Sequence, residues 1–103
     1  MKIKVIIKRP DEKNGHVTWI ENSLENLQRT VGGFIETFTF ATDCTIICNE
    51  EGKIQELEPN CYCIGELFVG TIVIAGVKGD EFADVPEKVL QMRKKGVLFQ
   101  PVM

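Results

Sequence analysis

The sequence predicts an α+β protein with a mainly antiparallel sheet of five to six strands and two helices. Two observations predict this class. Strand-like segments follow one another through most of the chain, and only two stretches carry helical signals. Such runs of strands favour α+β over a doubly wound fold, which alternates strands and helices. The 103 residues are expected to form a single domain spanning 1–103.

The first two segments predict a hairpin. Residues 2–8 alternate lysines with apolar residues, the period-two pattern of a half-buried strand. Residues 16–21 predict a second strand, with Val17 and Trp19 on one face. The intervening residues 9–15 are rich in turn formers, so the two strands are expected to pair.

The first helix is predicted to begin at Asn22 and Ser23. Asn22 is expected to cap it, with Glu25 three residues later as a capping box requires. An apolar stripe at helical spacing is expected to pack on the sheet. Its members are Leu24, Leu27 and Val31. Gly32 and Gly33 end the helix, because glycine readily adopts the left-handed conformation that follows a helix.

Four further strands are predicted after this helix. They span 34–42, with Phe34, Phe38 and Phe40 on one side, then 44–48, 54–57 and 68–75. A turn containing Gly52 would join 44–48 to 54–57 as a hairpin. Residues 61–67 are expected to be irregular, and residues 76–79 to form a turn.

The second helix is predicted to open at Asp84. Asp84 is expected to cap it, Glu87 follows three residues later, and Pro86 lies in the first turn, where no amide proton is missed. The buried stripe is expected to consist of Val85, Val89 and Met92. Gly96 ends the helix, after basic residues that favour the negative end of its dipole.

The charge of the chain argues against nucleic acid as a partner. The net charge is −3, whereas phosphate binding needs a basic surface, and residues 93–95 are the one short basic run. No apolar stretch approaches the ~20 residues that cross a bilayer, so no membrane association is expected. The expected location is the cytoplasm, where cysteines stay reduced.

The four cysteines are expected to be small buried hydrophobic residues. They are Cys44, Cys48, Cys61 and Cys63. Structural zinc sites use pairs spaced by two to four residues on knuckle turns. Cys61 and Cys63 fit that spacing poorly, and Cys44 and Cys48 would lie about 13 Å apart along one strand. No metal and no cofactor is therefore predicted.

Sets of residues for catalysis are missing from the sequence. The chain has a single histidine, His16, beside a turn, and a single serine, Ser23, at a helix start, so a Ser-His-Asp triad is improbable. The glycines lack the spacing of a phosphate loop, and the acidic clusters lack the pattern of a calcium loop. An enzyme therefore ranks last among the functions considered.

Several blocks of the sequence resemble one protein family. They are residues 20–28 (IENSLENLQ), 31–36 (VGGFIE), 46–53 (IICNEEGK), 59–60 (PN) and 70–74 (GTIVI) with Gly76. In order and spacing they are similar to the family of unknown function numbered 3846. The resemblance implies a small protein of Gram-positive bacteria, their phages and mobile elements, with no established activity. Cys61 departs from the family, which often has a basic residue after the turn at 59–60.

Two binding functions follow from these observations. The first is a non-enzymatic interaction protein, such as a phage or mobile-element accessory that binds a host protein. The alternative is a small-ligand binder, with a nucleotide-like anion held at Asn22 and Ser23 by the helix N-terminus. Glu36 is the third candidate site residue, because it shares a strand face with Phe34 and Phe38. It could instead be exposed at the strand start, or pair with a lysine such as Lys4.

Overall fold

A six-stranded antiparallel sheet forms the centre of the molecule in the computed structural model, which describes residues 1–103. The strands are β1 (Lys2–Lys8), β2 (His16–Glu21), β3 (Ile35–Ala41), β4 (Cys44–Asn49), β5 (Pro59–Cys63), β6 (Glu66–Val69), β7 (Ile72–Lys78) and β8 (Glu81–Ala83). The helices are α1 (Leu24–Val31) and α2 (Glu87–Lys94). The sheet order is β2-β1-β7-β4-β3, with β8 also paired to β7, and β5 and β6 form a separate hairpin. The predicted α+β class is confirmed.

Helix α1 covers one face of the main sheet. Leu27 and Val31 are buried there, and the buried residues packed with them come from three strands, β1, β4 and β7. These residues are Ile3, Val5, Ile7, Ile47, Val73 and Ala75. The predicted burial of Leu24, the third member of the stripe, is wrong. Leu24 lies in the first turn of the helix and is 59% exposed.

The cap of α1 also differs from the prediction. Ser23 is the N-cap residue, with an extended backbone, and its Oγ accepts the amide N–H of Asn26 at 3.1 Å. Asn22 does not cap, because its side-chain amide donates instead to the carbonyl oxygen of Phe82 at 3.0 Å. This bond ties the start of α1 to strand β8.

The opposite face of the sheet is covered by hairpin β5–β6, helix α2 and the segment that follows α2. This larger core contains all four cysteines, and their predicted burial is confirmed. Val85 and Val89 are buried in it and Met92 packs against it, as the stripe predicted. The sheet is therefore buried on both faces, with Ile6, Ile46 and Ile74 pointing toward α2 and the hairpin.

Three predictions between residues 54 and 75 are wrong. Residues 54–57 form turns, closed by bonds such as the one from the Leu57 amide to the Gly52 carbonyl. Residues 61–67 are mostly strand, within hairpin β5–β6. Ile64 and Gly65 form its two-residue turn with φ of 50° and 77°. Such a turn needs two residues with positive φ, which isoleucine rarely adopts, so the sequence signal was weak. Gly70, with φ of 72°, divides the predicted strand 68–75 into β6 and β7.

The start of the second helix is also organised differently. Strand β7 continues to Lys78 and so occupies most of the turn predicted at 76–79. The chain turns at residues 79–80 instead and enters a further strand, β8, which pairs with β7. Pro86 is the N-cap residue of α2, and no side chain caps the helix. Asp84 instead accepts the backbone amide of Lys4 at 2.9 Å, which fastens this segment to β1.

Candidate functional site

Strand β3 forms one edge of the main sheet and pairs only with β4. The amide of Glu50 donates to the carbonyl of Phe34 at 2.8 Å. This bond shows which residues of β3 direct their backbone groups toward β4. Because hydrogen bonding alternates along antiparallel strands, every second residue of β3 directs its backbone N–H and C=O away from β4. These residues are Ile35, Thr37 and Thr39. The edge therefore offers unpaired donors and acceptors to an additional strand.

A small pocket of about 100 Å³ opens beside this edge, on the face that carries hairpin β5–β6. Strands β3 and β4 contribute Glu36, Phe38 and Cys48, strand β6 contributes Leu67, Phe68 and Val69, and the turn after β4 contributes Lys53 and Ile54. The rings of Phe38 and Phe68 meet edge to face with their centroids 5.2 Å apart. This contact fixes the hairpin against the sheet and gives the pocket an ordered wall.

Two large apolar side chains stand in solvent near the pocket. Ile54, on the pocket rim, is 82% exposed. Phe34 is 67% exposed and precedes β3, where its position matches the face of Glu36 two residues later. Exposed apolar side chains grouped around a pocket are typical of surfaces that bind other proteins. Neither residue was predicted as a site residue, because Ile54 was expected in a strand and Phe34 on the aromatic side of another strand.

The charged residues around the pocket are mainly acidic. Glu36 and Glu50 line it together with a single basic residue, Lys53. Glu51 and Glu56 belong to the same turn as Lys53 and are exposed. Glu36 makes no ion pair within 4.0 Å and is exposed, so its carboxylate faces solvent beside the pocket.

Of the two alternatives for Glu36, pairing with Lys4 is wrong, whereas an exposed position near the start of the strand agrees with the structure. Lys4 lies on β1, which β7 and β4 separate from β3. Its ammonium lies 5.5 Å from the centre of the Trp19 ring on the neighbouring strand β2. The carboxylate of Glu36 is thus left free beside the pocket.

The three site residues predicted from the sequence do not come together. Glu36 pairs with Cys48, whose side chain belongs to the core beneath the hairpin, whereas α1 packs on the other face of the sheet. Asn22 and Ser23, at the start of α1, already use their side chains in bonds to Phe82 and Asn26. The structure therefore places Glu36 in a pocket, and it gives Asn22 and Ser23 structural contacts.

The thiols lie in surroundings that oppose ionisation. Burial, the largest effect, raises the pKa of Cys44, Cys48 and Cys61 to about 11 and that of Cys63 to about 12. Reactive thiols in proteins have lowered pKa values, because the thiolate is the nucleophile. A histidine can also activate a thiol by accepting its proton. The single histidine, His16, instead contacts the carboxylate of Glu12, with 2.7 Å between Nδ1 and Oε2. The thiols are therefore suited to packing.

These pKa values predict a loss of stability at alkaline pH. The unfolded thiols ionise near pH 9 while the folded ones stay protonated to about pH 11, so the unfolded state loses protons first. The free energy of unfolding should fall as the pH rises from about 9, by ~1.4 kcal/mol per thiol for each pKa unit. Urea unfolding at several pH values measures this. Cys48→Ala should show a shallower fall, and an identical fall would mean that other groups cause it.

The fold and the site define a small α+β domain with an open sheet edge and an apolar pocket beside it. Neither helix, at eight residues each, could span a membrane. The model of the family described as Domain of unknown function (DUF3846) matches residues 1–97. The chain belongs to this family. No curated protein and no solved structure matches the chain.

Proposed function

We propose that this chain is a non-enzymatic interaction protein that binds an extended segment of a partner protein along strand β3. The observation that carries the proposal is the unpaired β3 edge directly beside a pocket with exposed apolar residues. A segment added to a sheet edge gains affinity from main-chain hydrogen bonds, while pockets for alternate side chains give specificity. Both parts are present within one small surface.

The pocket indicates the chemistry of the partner segment. Its volume of about 100 Å³ suits one apolar side chain, which would contact Phe38, Ile54 and Leu67. Basic residues next to that side chain would meet the carboxylates of Glu36 and Glu50. The proposed partner segment is therefore extended, with an apolar anchor flanked by lysine or arginine.

The proposed biological setting comes from the family and not from the pocket. It follows from the resemblance to the family: a phage or mobile-element accessory of Gram-positive bacteria, acting on a host protein. The proposed location is the cytoplasm, where the four buried cysteines would remain as thiols.

The two edges of the sheet provide a matched test. Affinity capture from host lysate supplies a partner, whose binding segment is mapped and titrated by calorimetry against variants. Ile54→Ser should weaken binding by about tenfold, as expected for loss of a contact worth ~1.4 kcal/mol. Thr37→Pro should also weaken binding, because proline lacks the outward N–H that would bond to the partner segment. The fold should tolerate the change, because β3 is an edge strand and does not use this N–H to pair with β4. Trp19→Ser is the control, since Trp19 is 53% exposed on the opposite edge strand.

The results for these three variants distinguish binding at β3 from binding at the opposite edge strand, β2. Loss of binding in Trp19→Ser, with Ile54→Ser and Thr37→Pro unaffected, would place the partner on β2 and refute the proposed site. Repeated turnover of a substrate by the wild-type chain would refute the non-enzymatic function.

Glu36→Gln tests the role of charge in the same surface. The substitution keeps the size of the side chain and removes its charge, so binding should weaken by about two- to fivefold, the effect of an exposed ion pair. The loss should disappear at high salt, because salt screens exposed charges. Thermal unfolding serves as the control and should not change. A variant that loses stability and binds normally would show that Glu36 is structural.

A further inference from the structure

A larger cavity, of about 330 Å³, lies on the other side of hairpin β5–β6 from the β3 pocket. It opens between the β1–β2 turn, strand β5 and the segment after α2. Residues from all three segments line it, among them Lys8, Lys13, Asn14, Asn60, Phe99 and Gln100. Its volume falls at the lower end of small-molecule sites, which span ~300–1,000 Å³.

The wall of this cleft contains a buried lysine without a counter-charge. Lys8 is 3% exposed, and its Nζ donates to Asn60 Oδ1 at 2.8 Å and to the carbonyls of Arg9 and Glu12. The ring centre of Phe99 lies 5.7 Å away. No carboxylate lies within 4.0 Å of Nζ. Neutral oxygens satisfy the three N–H groups, but the positive charge itself is uncompensated, which is costly for a buried ion.

Asn60 holds this arrangement in place. Its side-chain amide donates to the carbonyls of Lys8 at 2.8 Å and of Gly70 at 2.7 Å. Strand β1, strand β5 and the bend between β6 and β7 are thereby fixed to one another beside the cleft. The charge of Lys8 is thus held at a defined position, as a binding site requires.

Basic residues outnumber acidic residues in the segments that end β1, join β1 to β2 and end α2, although the chain as a whole is acidic. The basic residues of the β1 end, the β1–β2 turn and the end of α2 are Lys8, Arg9, Lys13, Arg93, Lys94 and Lys95, and the acidic ones are Asp11 and Glu12. Arg93 joins α2 to the turn, because its guanidinium donates to the carbonyls of Asn14 and Gly15.

Glu12, which also lines the cleft, is already engaged. Its carboxylate accepts the amide of Arg9 at 2.8 Å and contacts His16. Burial acts to raise the pKa of Glu12, but the bonds from Arg9 and His16 outweigh it and the pKa is lowered. This carboxylate forms no salt bridge with Lys8, and its charged neighbour is instead Arg9, whose Nη1 lies 3.8 Å from Oε1.

We infer that the cleft binds a small organic anion carrying a carboxylate or phosphate group. Lys8 would act as a fixed charge, because its three N–H groups are occupied. The hydrogen bonds to the anion would come from the side chains of Lys13, Asn14 and Gln100, which line the cleft and make no other hydrogen bond. This site is separate from the anion site expected at Asn22 and Ser23, and it is independent of the proposed function at β3.

Titration by two-dimensional amide NMR at low salt tests the inference, with adenosine monophosphate, citrate and inorganic phosphate as probes. At least one of the two organic probes should shift the amides of residues 13–14 and 99–100 in a saturable way. Lys13→Gln should weaken its binding by about tenfold, corresponding to ~1.4 kcal/mol. Lys78→Gln, at the exposed end of β7, is the control and should leave binding unchanged.

Two further results would overturn the inference. The first is that neither organic probe binds at the cleft in a saturable way. The second is that Lys13→Gln binds the probe with the same affinity as the wild type. Lys8→Met should abolish binding of the probe if the variant folds. If it does not fold, the comparison of Lys13→Gln with the wild type still tests the inference. Ile54→Ser should bind the probes normally, which distinguishes this site from the β3 pocket.

Discussion

Replacing Leu27 with alanine is expected to lower the free energy of unfolding by ~2–5 kcal/mol. Leu27 is 1% exposed and packs on the α1 face of the sheet, against a cluster that includes Val5, Ile47 and Val73. Truncation removes the buried methyl groups and leaves a cavity, because strands held in a central sheet cannot move in to fill it. Urea unfolding followed by circular dichroism measures the change.

Leu24→Ala is the matched control for this experiment. It makes the same chemical change three residues earlier in the same helix, where the side chain is exposed. The expected loss is below ~0.5 kcal/mol, the usual range of surface substitutions. Equal losses at Leu24 and Leu27 would contradict the observed orientation of α1.

Gly76→Ala is expected to destabilise the protein by ~3 kcal/mol, near the upper end for overpacking. A Cβ at this position would lie 2.0 Å from the carbonyl oxygen of Asp84. The oxygen cannot easily move away, because the Asp84 side chain accepts the Lys4 amide and the Val85 amide donates to the Lys4 carbonyl. The added methyl group must therefore separate β8 from β7 or break these bonds to β1.

Thermal and urea unfolding of the Gly76 variant measure the effect, with Gly79→Asn as its control. Gly79 has a φ of +63° and no atom within 4 Å of an added Cβ. Asparagine tolerates this left-handed conformation better than other residues, so the loss there should stay below ~1 kcal/mol. A Gly76 variant as stable as the wild type would mean that β8 does not approach β7 this closely.

The elements specified by short-range patterns could be predicted from the sequence. The hairpin of β1 and β2, helix α1 and helix α2 each follow from side-chain periodicity between recognisable turn or cap residues. The burial of the cysteines was predicted because their spacing fits a metal site poorly and reduced cysteine is commonly a small buried residue. Hairpin β5–β6 was missed because Ile64 occupies a left-handed position that favours glycine or asparagine, and such a conformation is held by the surrounding structure.

Both candidate sites, in contrast, were decided by tertiary structure. Glu36 lies in a pocket with Ile54 and Leu67 only because β3 and β4 pair at the sheet edge while hairpin β5–β6 folds over their face. Lys8 and Asn60 are 52 residues apart in the sequence, and the lysine pattern of β1 predicted an exposed side chain. Local periodicity determines which of the regular elements form and most of the apolar residues that they bury, with Leu24 as an exception. Strand order and non-local pairing determine which distant side chains share a pocket, because each contact depends on elements that no short stretch of sequence contains.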